Sequence, residues 1–158
     1  MGSTRQTPSE LYGGDYYAWV QDQVRALRDH RTEAVDWENV AEELDDLGKS
    51  VTWSVESHLE TLIGHLLKLT YAHPTSRQRN ARSWESTVEL TRFRIRKLLD
   101  ESRSVENVLK QVADIAYHAA RISARRALGF VMESLPDKCP WTVEQLMDET
   151  FFRTRKAI

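Results

Sequence analysis

The residues of this chain best suited to chemistry are a few histidines, some clustered carboxylates and a single thiol. His65 lies nine residues before Pro74, Glu85 eleven after it, and His118 eleven before Gly129. If those prolines and glycines punctuate helices, a rise of about 1.5 Å per residue places the three side chains at similar heights in a bundle. Two imidazoles and a carboxylate suit a divalent transition metal such as zinc, iron or nickel, with positions left open for water or substrate. His58, seven residues before His65, is spaced to orient or extend the set. Height does not fix facing, however. Glu85 neighbours Trp84 rather than sharing its stripe, and His118 sits beside small alanines, so histidines bonded at the edge of a core, or exposed, account for the same residues.

Other candidates have plainer readings. Leu47-Gly48-Lys49-Ser50 ends like a phosphate-binding loop, but that loop needs an earlier glycine where this chain has Glu43, and a preceding strand. Glu38 and Glu42 stand one helical turn apart. A di-iron bundle would also need Glu-x-x-His pairs, which do not occur here, so an acidic solvated or salt-bridged face is the simpler reading. Cys139 precedes a helix start, where the helix dipole can lower a thiol pKa; packing beneath Trp141 is the alternative. Of the five tryptophans, Trp37 and Trp84 fall on core stripes, whereas Trp53 lies beside its stripe and widens an apolar face.

The elements that would position these residues follow from apolar periodicity. Tyr17, Val20, Val24 and Leu27 mark a first amphipathic helix from about Asp15, ending in the polar stretch Asp29 to Thr32. Asp36 is placed to cap a second, with the stripe Trp37, Val40, Leu44, Leu47, Val51, Val55, Leu59, Leu62, Leu66, Leu69, in phase through Gly48 and closed by Pro74. A third begins after Ser76 and buries Trp84, Val88, Thr91, Ile95 and Leu98. A fourth carries Val105, Val108, Val112, Ile115, Ala119 and Ile122, with Gly129 as its C-terminal cap. Thr142 and Gln145 have capping-box spacing for a short fifth helix. Short connections favour antiparallel neighbours, so the expected fold is all-α: an up-down bundle of four main helices plus a short C-terminal helix. The expected organisation is a loose segment over residues 1–10, one domain over 11–152 and a tail over 153–158.

Composition agrees. The chain has 158 residues, 41% hydrophobic and 29% charged, with six Gly and four Pro, a balance that favours long helices. The net charge of -2 argues against a protein that coats nucleic acid, despite the arginines of the third helix. One cysteine excludes an internal disulfide and fits the cytoplasm. No apolar run reaches the length of a membrane span, and Met1 to Leu11 do not read as a signal peptide. Glu38, Glu42, Glu43, Asp45 and Asp46 crowd the start of the second helix, and Arg92, Arg94, Arg96 and Lys97 the end of the third; antiparallel packing would bring those two ends together.

Several motifs in order, Tyr12 with Asp15-Tyr16-Tyr17-Ala18-Trp19, Trp37 to Leu44 with Leu47-Gly48-Lys49-Ser50, His65-Leu66-Leu67-Lys68, Ser83-Trp84, and Cys139-Pro140-Trp141-Thr142 with Glu144-Gln145-Leu146, are similar to those of a bacterial family called domain of unknown function 29. The resemblance runs from about Leu11 to Phe152 and implies a helical bacterial protein with no assigned activity, cofactor or catalytic residue. It departs at Ala127-Leu128-Gly129-Phe130, where the family pattern has Glu-Thr-Gly-Leu. Since the bundle absorbs nearly every patterned residue, the leading reading is an interaction or accessory protein that binds a protein partner or a second copy of itself. The alternative is a metal-binding bundle or a metal-dependent enzyme built on His65, His118 and Glu85.

Overall fold

The computed structural model describes residues 8–128 and 135–151. The fold is all-α: among the described residues there are six α-helices, four of them long, and no strand. None of these helices is long and apolar enough to cross a membrane. The chain divides into two compact units, residues 1–50 and 51–158, with one helix running from the first into the second.

The first unit begins with α1 (Pro8–Gly14), ahead of the first helix expected from about Asp15 and overlapping the segment 1–10 expected to be loose. Proline suits the first turn of a helix, since its missing N–H would find no partner there. Asp15 then caps α2 (Tyr16–Arg28), its carboxylate accepting from the Ala18 N–H at 3.0 Å. At the other end His30 adopts a left-handed conformation (φ 55°), so that the Arg31 N–H reaches back to the Ala26 carbonyl at 2.9 Å and closes the last turn. A 3-10 turn (Thr32–Ala34) leads into α3 (Trp37–Tyr71). As the unbroken phase implied, α3 is continuous through Gly48, around which lies open space.

In the second unit the remainder of α3, α4 (Pro74–Glu101) and α5 (Ser104–Leu128) pack antiparallel, joined by short connections, with α6 (Val143–Met147) against them. Val55, Leu59, Leu62, Ile63, Leu66 and Leu67 of α3 meet Val88 and Ile95 of α4, Val105, Leu109, Val112, Ala116, Tyr117, Ala120 and Ala124 of α5, and Leu146 of α6. Small residues let α3 and α5 approach: a Cβ built on Gly64 would touch that of Ala120 at 3.9 Å. The expected Thr142–Gln145 capping box opens α6. Its closing carbonyls are held from α4: buried Arg92 donates from Nε to the Leu146 oxygen at 2.8 Å, and Arg96 donates to the Met147 oxygen at 3.2 Å while pairing with Glu149.

Several expected faces are corrected. On α2 the buried residues are Trp19, Gln23 and Ala26, while Tyr17, Val24 and Leu27 are exposed, because a helix of many apolar residues supports two stripes and packing selects one. The stripe of α3 is buried only from Val55 onward; Trp37, Leu44, Leu47 and Val51 are exposed. Trp84 is half-buried rather than a core anchor. On α5 the core lies along Leu109, Val112, Ala116 and Ala120, leaving Ile115 and Ile122 outside. α4 starts at Pro74, with His73 as its cap, rather than after Ser76. The expected cap at Gly129, the tail after Phe152 and the first seven residues lie outside the described residues.

Candidate functional site

The first unit holds the densest constellation of polar and aromatic side chains. Tyr12 and Tyr16 stand one turn apart in sequence, and both hydroxyls donate to the Glu43 carboxylate, at 2.8 and 2.7 Å. Their rings cluster with that of Trp19, with centroids 4.8 Å apart for Tyr12 and Trp19 in edge-on geometry and 5.7 Å for Tyr16 and Trp19 stacked. The hydrogen bond that the phenol donates to Glu43 holds its proton and pushes Tyr12 up to about 12, with desolvation and the neighbouring negative charge adding to it, and raises Tyr16 for the same reasons.

Beneath these rings, buried Gln23 accepts the Asp36 N–H at 2.7 Å. The Asp36 carboxylate accepts from the Asn39 amide at 2.8 Å and the Trp19 indole at 3.4 Å. Asp36 was expected to cap α3 through a backbone N–H; it serves side chains instead and ties the start of α3 to α2. Sequence reasoning missed this cluster, although Tyr12, Tyr16, Trp19 and Glu43 all fall within the motifs that carry the family resemblance.

This cluster fixes the first part of α3 so that its apolar stripe faces solvent. Trp37 is 58% exposed, Leu44 64% and Leu47 62%. Trp37 spends its indole N–H on the Thr32 carbonyl at 3.2 Å, which holds the ring at the surface. Glu38, Glu42 and Asp45, all exposed, follow at three- and four-residue steps on the opposite side of the helix, together with Lys49.

α4 bears a second, unforeseen stripe. Arg79, Arg82, Ser86, Leu90, Phe93 and Lys97 recur at three- and four-residue steps on the side away from buried Val88, Thr91, Arg92 and Ile95. All six are exposed, and two large apolar side chains sit at its centre between basic ones. Leu90 and Phe93 lie off the apolar stripe expected for this helix, so its periodicity did not single them out.

The candidate metal ligands are not gathered. No group of three or more His, Cys, Asp or Glu able to hold a metal ion exists among the described residues. His65 is half-buried on α3, its Nδ1 2.9 Å from the Thr61 carbonyl oxygen; a carbonyl only accepts, so Nδ1 carries the proton. Burial lowers its pKa. His118 is exposed on α5, its ring 6.1 Å from that of Tyr117, and Glu85 is half-buried on α4. His58 is also half-buried and is held below its usual value by burial and by Arg94. Cys139 packs at the edge of the core near Trp141, and burial raises its thiol pKa, which outweighs the Trp141 backbone N–H and disfavours the nucleophilic thiolate.

The family model described as Domain of unknown function DUF29 matches residues 11–152. No curated protein and no solved structure matches the chain.

Proposed function

We propose that this chain, which belongs to the DUF29 family, is an interaction or accessory protein whose first unit binds a protein partner through the exposed stripe of α3. One observation supports the reading. A single apolar phase runs along α3, and the half that meets α4 and α5 is buried, whereas Trp37, Leu44 and Leu47 lie in water. Large apolar residues exposed along one helix face are what helix-in-groove recognition uses. Burying one such side chain contributes about 1.5–3 kcal/mol, so three give roughly 5–9 kcal/mol, comparable to the lower range of association costs. The stripe therefore supports contact, and complementary charge would have to supply specificity and the rest of the affinity.

The test is a photo-crosslinking amino acid placed singly at Leu44, at Leu47 and, as a control on the opposite side of the helix, at Lys49, in cells that express the chain. Adducts at 44 and 47 but not at 49 are expected. Adducts that ignore position, or none at either stripe residue, would refute the assignment.

A further inference from the structure

We propose that the occupant of this surface is a basic amphipathic α-helix of another protein, laid in a trough between α2 and α3 so that it touches both. The inference rests on the reading of the first unit as a partner-binding surface, and adds a second wall to the site and the chemistry of what fills it.

The second wall is the stripe of α2 that packing leaves outside. α2 and α3 run antiparallel, since Tyr16 bonds Glu43 whereas Gln23, farther along α2, bonds Asp36 at the start of α3. The buried line of α2, Trp19, Gln23 and Ala26, faces the line Asp36, Asn39 and Glu43. At 3.6 residues per turn, Tyr17, Val20, Val24 and Leu27 lie about 110° onward from the first line, and Trp37, Leu44 and Leu47 about 90° onward from the second. In an antiparallel pair, turns in the same sense from the facing lines bring residues to the same side of the pair. The two rows therefore flank one trough. Tyr17, Val24 and Leu27 are exposed along one wall and the α3 stripe along the other, while half-buried Val20 and Val40, opposite each other in this register, form the floor.

Form and charge select the occupant. A helix laid between two such rows packs its ridges against both, at axis separations of about 8–10 Å. The same apolar phase of α3 is filled in this way in the second unit, where from Val55 onward α4 and α5 cover it. Among the described residues there is no strand, so an extended peptide finds no open sheet edge to pair with. Residues 1–50 hold eleven Asp and Glu against five Lys and Arg, a net charge of -6. That field attracts a cationic helix, and it repels both an anionic lipid surface and a second copy of the same unit.

The experiment titrates the full chain against two labelled synthetic helices of about five turns and reads fluorescence anisotropy. Both carry leucine at heptad positions a and d; the remaining positions are lysine in one and glutamate in the other. Three double variants accompany the wild type: Val24→Gln with Leu27→Gln on α2, Leu44→Gln with Leu47→Gln on α3, and, as a control, Leu90→Gln with Phe93→Gln on α4. All six positions are exposed, and unchanged helical circular dichroism confirms that each variant folds. The lysine helix is expected to bind the wild type and the control within about twofold of each other, and the α2 and α3 variants at least about tenfold more weakly. The glutamate helix should bind the wild type at least about tenfold more weakly than the lysine helix, with the gap closing as salt is raised. Failure of the lysine helix to bind, equal binding of the two helices, or indifference to the α2 substitutions overturns the proposal. So does sedimentation of the chain alone as a dimer that the α2 and α3 variants dissociate, which seats a second copy in the trough. If crosslinks form at 44 and 47 while the lysine helix ignores the α2 substitutions, the trough fails and the reading of α3 as a contact surface stands; the absence of position-specific crosslinks removes both.

Discussion

Replacing Gly48 with alanine isolates the contribution of backbone to the first half of α3. The glycine lies inside a 35-residue helix, has helical neighbours on both sides, and a Cβ added there meets nothing within 4 Å. Packing therefore neither gains nor loses, and what changes is conformational freedom, which for glycine against alanine in a helix interior is about 0.5–1 kcal/mol. Since Trp37, Leu44 and Leu47 bury little surface, local opening of this half competes against a small packing energy, so the substitution should be felt there first. A change of 0.5–1 kcal/mol lowers an opening equilibrium by roughly two- to fivefold. Native-state hydrogen exchange, read at amides between Leu44 and Thr52, should slow by that factor, with amides of Leu62 to Leu67 unaffected. Faster exchange in the substituted protein, or a lower denaturation midpoint, would mean that Gly48 is not helical in solution and that α3 breaks there.

Other expectations follow from particular contacts. His30→Gly should stabilise the chain by up to about 1 kcal/mol in denaturant titration, because glycine adopts the left-handed turn after α2 without strain; a loss of stability would disprove that conformation. Arg92→Met should destabilise by about 1–3 kcal/mol and expose residues 143–147 to proteolysis, since the Leu146 carbonyl loses a charged donor. In a spectrophotometric titration the phenols of Tyr12 and Tyr16 should ionise late and return toward the ordinary value in Glu43→Gln; five tyrosines titrating alike would rule out the carboxylate bridge. His65 and His58 are lowered below about 6.5 in the folded chain, so near that pH the folded state binds fewer protons than the unfolded. Their contribution to stability is present above that pH and is lost as pH falls through 6.5 and then through the folded values; urea midpoints at about pH 7.5 and 5.5 should differ less in His65→Gln than in the wild type.

The helices were legible because their signals are local. The unbroken phase across Gly48, the Thr142–Gln145 box and the prolines are properties of neighbours in sequence, and α2 to α6 start within a few residues of where these place them, whereas α1, which has no apolar period, was not foreseen. Which face is buried is not local. α2 has apolar residues on two sides, and nothing in its own pattern favours Trp19, Gln23 and Ala26 over Tyr17, Val24 and Leu27; the choice follows from Tyr12 and Asp36, which reach Trp19 from outside the helix. Equal height placed His65, Glu85 and His118 together on paper, but facing left His118 in solvent, and spacing along separate helices carries no information about rotation. The tyrosine pair on Glu43 was hidden for a related reason: its partners are 31 and 27 residues away.

The attachment of α6 bears on the order in which the chain is synthesised. When α3, α4 and α5 have all left the ribosome, the guanidinium of Arg92 still has no Leu146 carbonyl to meet, and Leu146 is missing from the core. A cation in that position resists dehydration until its acceptor arrives. The second unit therefore stays incompletely closed until the segment that carries Leu146 has emerged and packed against α4. The first unit needs nothing beyond Glu43 for its aromatic cluster, so that cluster can form while the second unit is still unfinished.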